Sequence, residues 1–283
     1  MRYYIKLSYD GTRFCGWQVQ PNALTVQECL EKSLSTLLKA KVSVVGAGRT
    51  DTQVNAVGYV AHFDFDAPVP LPLSDAAGEL DATRTGYKLN AILPKEIVVH
   101  EVWKVNDDLH ARFSATRREY TYFIHRTKDP FVGSYSYFCP WPLDVAAMNR
   151  AASSLVGEHD FRCFEKKGSD NKTSDCVVFE AVWVSYRPVH AEVMGFPAAE
   201  GSYLYFRISA DRFLRNMVRA VVGSLLEVGR GKRSVEDFSS LVLPVSEGSR
   251  DHGASVSPDG IPFRSLAGES VPGHALFLSK VEY

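Results

Sequence analysis

Val44-Val45-Gly46-Ala47-Gly48-Arg49-Thr50-Asp51 is the stretch on which the reading of this chain turns. Lys41 to Val45 predicts a short β-branched strand, which Gly46-Ala47-Gly48 breaks into a tight loop. Arg49 and Asp51 follow at the mouth of that loop, and a loop at a strand end is where reactive groups are often presented to a ligand. Gly46 and Gly48 would let a ligand or another backbone approach closely. A dinucleotide loop also has Gly-x-Gly after a strand, but its third glycine would fall on Asp51. A plain surface ion pair between Arg49 and Asp51 is the other local reading.

Working outward, 283 residues suit one large or two medium domains, and 45% hydrophobic with 23% charged residues is ordinary globular composition. Met1 to Lys6 alternates like a strand and has no signal-peptide apolar region. No run approaches the roughly 18 apolar residues that span a bilayer. The expectation is a cytoplasmic protein that does not engage a membrane. Cys15, Cys29, Cys139, Cys163 and Cys176 are widely spaced, form no Cys-x-x-Cys, and predict neither disulfide nor metal. The formal net charge of −1 excludes a uniformly basic nucleic-acid binder. The charges are nonetheless segregated. Arg112, Arg117, Arg118, Arg126 and Lys128 face only Glu119 in their stretch, and Arg212 to Arg233 holds six basic residues against Glu227. Asp64 to Asp81 carries five acids and no Lys or Arg. Separate basic blocks can build a phosphate-binding cleft in a near-neutral protein, and Arg112, Arg118, Arg215 and Arg230 are its candidates.

Along the chain, Tyr3 to Tyr9 predicts a strand ending at Asp10-Gly11. Thr25-Val26-Gln27-Glu28 is a capping box, with Leu24 and Cys29 placed as a hydrophobic staple. Val26, Cys29, Leu30, Leu34, Leu37 and Leu38 form the core stripe of the helix it opens. Gly58 to Phe65 predicts another strand. The Pro-rich and acidic segment 67–83 predicts a loop or mobile insertion. A domain junction is expected near Asn106, dividing the chain into 1–106 and 107–283.

Glu119 to His125 predicts a strand with Tyr120, Tyr122 and Ile124 on one face, and Asp144 caps a helix stopped by Gly157. Val177 to Tyr186 and Tyr203 to Ser209 predict strands. Asp211 to Gly229 predicts the strongest helix, on which Arg212, Arg215 and Arg219 lie within about 60° of one another, opposite the apolar side. Ser234 opens a further short helix, 244–273 predicts an irregular loop, and Ala275 to Val281 a final strand. The rhythm in both halves predicts an α+β protein: two similar halves whose antiparallel sheets, flanked by helices, share a central cleft.

Gly46-Ala47-Gly48-Arg49-Thr50-Asp51, with Val54, Ala56 and Gly58, resembles the active-site motif of the tRNA pseudouridine synthase A family. Further stretches in the same order carry the resemblance over nearly the whole chain. They are the opening Asp10-Gly11-Thr12 with Phe14, Gly16-Trp17-Gln18 and Gln20, then Leu89-Asn90 with Leu93-Pro94, and His110 to Tyr122. Gly157 with His159-Asp160-Phe161, and Phe213 to Gly231, complete the series. By base rate Tyr120 is a core aromatic, Arg215 and Arg219 a solvated helix face, and His159 a packing histidine; the resemblance assigns more to Tyr120 and Arg219 and leaves His159 as packing. It implies the pseudouridine synthase fold, a homodimer, a tRNA substrate and isomerisation of uridine in the anticodon stem-loop. It also implies that Asp51 is the catalytic carboxylate, and that Tyr120 and Arg219 enter the site with it.

That reaction breaks the N-glycosidic bond, rotates the base and rejoins it through C5. There is no redox change and no energy input, so no cofactor is expected. The base must leave its stack while basic residues hold the surrounding phosphates. A carboxylate can act as nucleophile, or can assist removal of a sugar proton on a glycal route. In the implied roles Arg219 pairs with Asp51 and keeps it ionised, Tyr120 stacks on the flipped base and helps remove the C5 proton, and Arg49 steadies the loop or fills the vacated space. Gln53 and Asn55 depart from the family's glycine and histidine; if that glycine has φ > 0, Gln53 carries strain of order 1 kcal/mol. These departures are expected to adjust substrate fit. Two other readings remain: a catalytically silent RNA-binding protein on this scaffold, and a synthase for another RNA site.

Overall fold

The computed structural model describes residues 1–70, 72–166, 168, 173–245 and 260–283. In chain order the elements are β1 (Arg2–Tyr9), α1 (Val26–Leu38), β2 (Val44–Gly46), β3 (Asn55–Asp64), α2 (Ala82–Ile92), β4 (Ile97–Val105) and β5 (Arg117–His125). There follow β6 (Tyr137–Phe138), α3 (Val145–Ser153), β7 (Gly157–Asp160), β8 (Asp175–Ser185) and α4 (Val189–Val193). The chain closes with β9 (Tyr203–Ala210), α5 (Met217–Gly229), α6 (Val235–Ser239), α7 (Phe263–Leu266) and β10 (Leu276–Glu282). Helices and mostly antiparallel strands make this an α+β protein, as the pattern predicts. Two compact units emerge, Met1–Arg118 with Phe277–Tyr283, and Glu119–Leu276. The junction expected near Asn106 falls just past β4, whereas the units part between Arg118 and Glu119 and the last strand returns to the first unit.

In the first unit the strand order is β4-β1-β3-β10. β1 pairs antiparallel with β3 along one edge, from Arg2 opposite Asp64 to Tyr9 opposite Ala56. The other edge of β3 is shared: β2 pairs antiparallel with Ala61, His62 and Phe63, and β10 pairs parallel with Asn55 and Ala56. The buried rings of Tyr3 and Phe63 stack at 5.4 Å between β1 and β3. α1 starts at Thr25, whose hydroxyl accepts from Glu28 N as expected, while the Glu28 carboxylate pairs with Lys32 at 2.6 Å. Leu24, expected as half of a staple, is largely exposed.

One local expectation needs correction here, and one element was not foreseen. The strand predicted from Lys41 begins only at Val44, because Val42 N donates to Ser35 Oγ and Val44 N to Glu31 Oε1, both 2.9 Å, so α1 side chains satisfy this backbone before the sheet does. The segment 82–92 is helical, opened by Asp81, whose carboxylate accepts from Arg84 N at 2.9 Å. The loop 67–83 is described except at 71, and Leu73 and Leu80 anchor it by burial.

The second unit has the order β5-β9-β8-β7, with β6 parallel to β5. α3 is capped by Asp144, as predicted, and α6 closes a reciprocal capping box between Ser234 and Asp237. α5 is almost wholly buried, from Met217 through Val228. It does not begin at Asp211. Asn216 adopts φ 65, ψ 4, a left-handed conformation that no α-helix can pass through, so the helix starts one residue later. Arg212 and Arg215 therefore lie on the approach loop, and the three-arginine face expected on α5 does not exist. The loop 244–273 lies partly outside the described residues, at 246–259; its described end holds α7 and a segment lying on α5.

Candidate active site

The Asp51 loop starts where β2 runs out. Ala47 N still donates to Val60 O at 2.9 Å, and the chain then leaves the sheet. Gly46 is required here for packing and not for ligand approach. A Cβ on it would lie 2.0 Å from Tyr59 Oη and 2.6 Å from Trp17 Cε2, beneath the Trp17–Tyr59 stack at 4.1 Å. The Tyr59 hydroxyl donates to Gly48 O, while Gly48 itself has open space where a side chain would stand.

The segment Tyr9 to Trp17 then grips the loop from the other side. Buried Thr50 shares a 2.8 Å hydrogen bond between its Oγ1 and Tyr9 Oη, and its carbonyl accepts from Trp17 N at 3.2 Å. Gln53 N donates to Phe14 O at 3.2 Å. Val54 N donates to Asp51 O at 3.1 Å, closing a turn that leaves Asp51 half-buried at its head. The fit is tight. A Cβ on Gly11 would stand 2.1 Å from Val54 O, and one on Gly16 (φ +85) 2.3 Å from Thr50 O. The opening residues quoted above for the resemblance are thus the cradle of the aspartate loop.

The two departures from the family pattern separate in this geometry. Gln53 has φ 66 and an exposed side chain. Asn55 is fully buried at the head of β3, and its Oδ1 accepts from Gly11 N at 2.8 Å. Asn55 is therefore a pin between loop and cradle, a role no local sequence signal announced, and so are Tyr9 and Thr50.

Arginines surround the loop. Arg49 and Arg112, both exposed, line one hollow of about 150 Å³ with Trp17, Gln18, Gln27 and Gly48. Arg112 lies 5.6 Å from the Phe113 ring, and its turn is held by His110, whose Nδ1 accepts from Arg112 N and Phe113 N at 3.1 and 3.2 Å. Arg118 is half-buried and donates to main chain: Nη1 to Ala115 O at 2.9 Å, Nη2 to Ala47 O at 3.2 Å and also to Arg112 O. It ties the Arg112 turn to the start of the Asp51 loop. Behind them His62 is buried, its Nδ1 accepting from Ala111 N at 3.1 Å. Burial, aided by Arg2 and His110, pushes its pKa down to about 4, so this acceptor stays neutral near pH 7.

In the second unit, Tyr120 on β5 is half-buried and meets Phe213 edge-to-face at 5.1 Å. Arg219 sits in the first turn of α5, where Nε donates to Val271 O at 2.7 Å and Val271 N donates back to Arg219 O at 3.2 Å. The 268–271 segment is itself fastened by Gly268 N to Ser224 Oγ at 2.8 Å and by the guanidinium of Arg264, which reaches Gly268 O and Ser270 Oγ. Arg215 is exposed, and Arg230 lies at the end of α5 with its guanidinium 4.5 Å from the Trp141 ring. All five cysteines are free, and no cluster of metal-ligating side chains occurs among the described residues.

Two features now on the page, the gripped Gly46–Asp51 loop and the α5 segment around Arg219, coincide with a known family. The sequence profile of the tRNA pseudouridine synthase family matches residues 6–114 and 151–283. This chain belongs to that family. The tRNA pseudouridine synthase A of Bacteroides fragilis is 44% identical over 284 residues, covering 100% of this chain and 96% of that protein. That of Bacillus subtilis is 37% identical over 287 residues, with 100% and 99% covered. That of a Geobacter species is 37% identical over 257 residues, with 90% and 94% covered. Within the family profile, Arg49, Asp51 and Arg112 fall in the first matched segment, and Arg215, Arg219 and Arg230 in the second. Arg118 and Tyr120 lie between the two. No helix among the described residues is long and apolar enough to cross a membrane.

Proposed function

We propose that this protein isomerises uridine to pseudouridine in the anticodon stem-loop of tRNA, as a cytoplasmic homodimer that needs no cofactor and no metal. The observation that carries the reading is the Asp51 turn, held by Thr50, Asn55 and the Tyr9–Trp17 segment in a chain belonging to the tRNA pseudouridine synthase family. Asp51 is the catalytic carboxylate, on the first unit; Tyr120 and Arg219, on the second, are its partners around the flipped uridine. Arg49, Arg112, Arg118, Arg215 and Arg230 hold RNA, Arg118 by keeping the Arg112 turn in place.

The chemistry asks little beyond this set. The bond from C1′ to N1 breaks, the uracil turns, a bond forms from C1′ to C5, and the C5 proton leaves to a base. A carboxylate assists either by bonding to C1′ or by taking the C2′ proton. A base flipped from its stack needs an aromatic platform and fixed phosphates, which Tyr120 and the arginines supply.

Release of tritium from tRNA labelled at uridine C5 is the test. Wild-type protein is expected to release it, and Asp51→Asn, which keeps shape and removes the nucleophilic charge, to lose at least about a thousandfold in rate while still binding tRNA. Near-normal turnover by Asp51→Asn would sink the assignment. Deuterium at C2′ separates the routes, since only proton abstraction gives a primary isotope effect.

A further inference from the structure

The sequence around the end of α5, Gly229-Arg230-Gly231-Lys232-Arg233, ends the helix in a defined way. Gly231 takes φ +68, Gly231 N donates to Val228 O at 2.9 Å, and Lys232 N donates to Glu227 O at 2.9 Å. This pair of bonds is the Schellman closure, which fixes where the flanking side chains leave the backbone. Arg230 and Lys232 are thereby aimed by main-chain geometry, and both are exposed.

Trp141 completes the arrangement. Its ring is half exposed, at 50%, and lies 4.5 Å from the Arg230 guanidinium. Its carbonyl accepts from Arg126 Nε at 3.3 Å, and Asp144 N, three residues on, donates to Gly229 O at 2.8 Å. The tryptophan is thus tied at one side to a second arginine and at the other to the helix end. A guanidinium lying on an indole keeps its N–H groups in its own plane, pointing outward. Stacking therefore removes rotamer freedom from Arg230 without using its donors.

The neighbouring hollow, about 380 Å³, is lined by Asp144, Gly231, Lys232, Arg233 and Ser234 among others. In its lining, Asp144 Oδ1 caps α3 through Ala147 N at 2.8 Å, and Arg233 pairs with Glu227 at 2.9 Å. Among the described residues no carboxylate lies within ion-pair distance of Arg126, Arg230 or Lys232.

We propose that Arg230, preset by Trp141, and Lys232 beside it form a phosphate-binding surface on the second unit that takes the sugar-phosphate backbone of the tRNA. This rests on the proposed function and adds Trp141 and Lys232 to it, with Trp141 as a positioning residue that need not touch the RNA. Two exposed cations, Arg230 and Lys232, with no carboxylate partner among the described residues match a polyanion, and the preset fork matches a phosphate.

Binding of tRNA and steady-state kinetics over about 50 to 300 mM salt, measured on Arg230→Gln, Lys232→Gln, Trp141→Ala, Trp141→Phe and the Trp141→Ala/Arg230→Gln pair, test it. Expected is a roughly fivefold rise in KM for Arg230→Gln, Lys232→Gln and Trp141→Ala, seen in KM and not in kcat, with the salt slope reduced by about one in each. The double variant should bind like Arg230→Gln alone, because Trp141 acts through that arginine, and Trp141→Phe should restore most of the loss. Wild-type binding and slope in both Arg230→Gln and Lys232→Gln overturn the surface. So does additivity in the double variant, or a change confined to melting temperature, which would leave these cations merely offsetting the helix dipole. Lys232→Gln is exposed and leaves folding out of the question. If the wild-type protein itself ignores tRNA, the proposed function falls, and the surface with it.

Discussion

The loop of Asp51 and the approach to Arg219 are held by opposite means. The first is gripped mainly by main chain from earlier in sequence: the carbonyls of Phe14, Thr50 and Asp51 receive backbone N–H groups, and one buried side-chain bond, between Thr50 and Tyr9 41 residues apart, adds to them. Glycine at positions 11 and 16 makes that approach possible. The second is gripped by side chains and from later in sequence, with Arg219 and Val271, 52 residues apart, exchanging hydrogen bonds and Arg264 and Ser224 fastening the same segment. Backbone contacts through glycine tolerate no added atom, whereas side-chain anchors give way one at a time. The first region should fail abruptly under substitution and the second in steps.

Among changes to the groups that hold the two regions, the largest expected effect breaks the second. Arg219→Lys keeps the charge but loses the Nε donor to Val271 O and the planar fork, and should cost about a hundredfold in kcat/KM, near 3 kcal/mol. Arg215→Lys, exposed on the approach loop, should cost less than about threefold. Equal losses would mean Arg219 does no more than bind phosphate. In the first region, Gly11→Ala drives a Cβ to within 2.1 Å of Val54 O and should destabilise the protein by about 2–3 kcal/mol in urea unfolding. Gly48→Ala, with nothing within 4 Å, should cost less than about 1 kcal/mol. If the two glycines prove equivalent, the cradle is not tight.

His62 sharpens the comparison through pH. Its folded pKa, about 4, lies below the ordinary 6.5, so between these values the unfolded chain binds more protons and stability falls as pH falls. About 2 kcal/mol should go between pH 7 and pH 5, and His62→Gln should flatten that part of the profile. An unchanged profile would remove His62 from the account. The smallest effect is at Gln53. Gln53→Gly relieves a side chain from φ 66 and should stabilise by about 0.5–1 kcal/mol, with little change in turnover because Asn55 still pins the loop. A loss of stability would show that the exposed Gln53 side chain does work in the fold.

Legibility followed the range of the cause. Strands β1, β5, β8 and β9, the Asp144 and Ser234 caps and the buried face of α1 were readable because period and capping act over a few residues. The start of α5 was not, since apolar periodicity continues through Phe213 and Leu214 while Asn216 turns left-handed and its side chain bonds Ser270 Oγ at 2.5 Å. α2 was hidden under an acidic, Pro-rich approach that masked its Asp81 cap.

By itself the sequence determined the α+β pattern, the loop bearing Arg49 and Asp51, and membership of the family, because motif residues stand close together in the chain. Only tertiary structure decided what the glycines and the unremarked polar residues are for. Gly46 makes room for Trp17 and Tyr59, and Asn55 spends its carbonyl on Gly11 N. Arg118 turns its guanidinium to main-chain carbonyls, and Trp141 comes to lie against Arg230. A side chain's role depends on which donor, acceptor or ring folding carries to it, and a linear order of residues does not contain those distances.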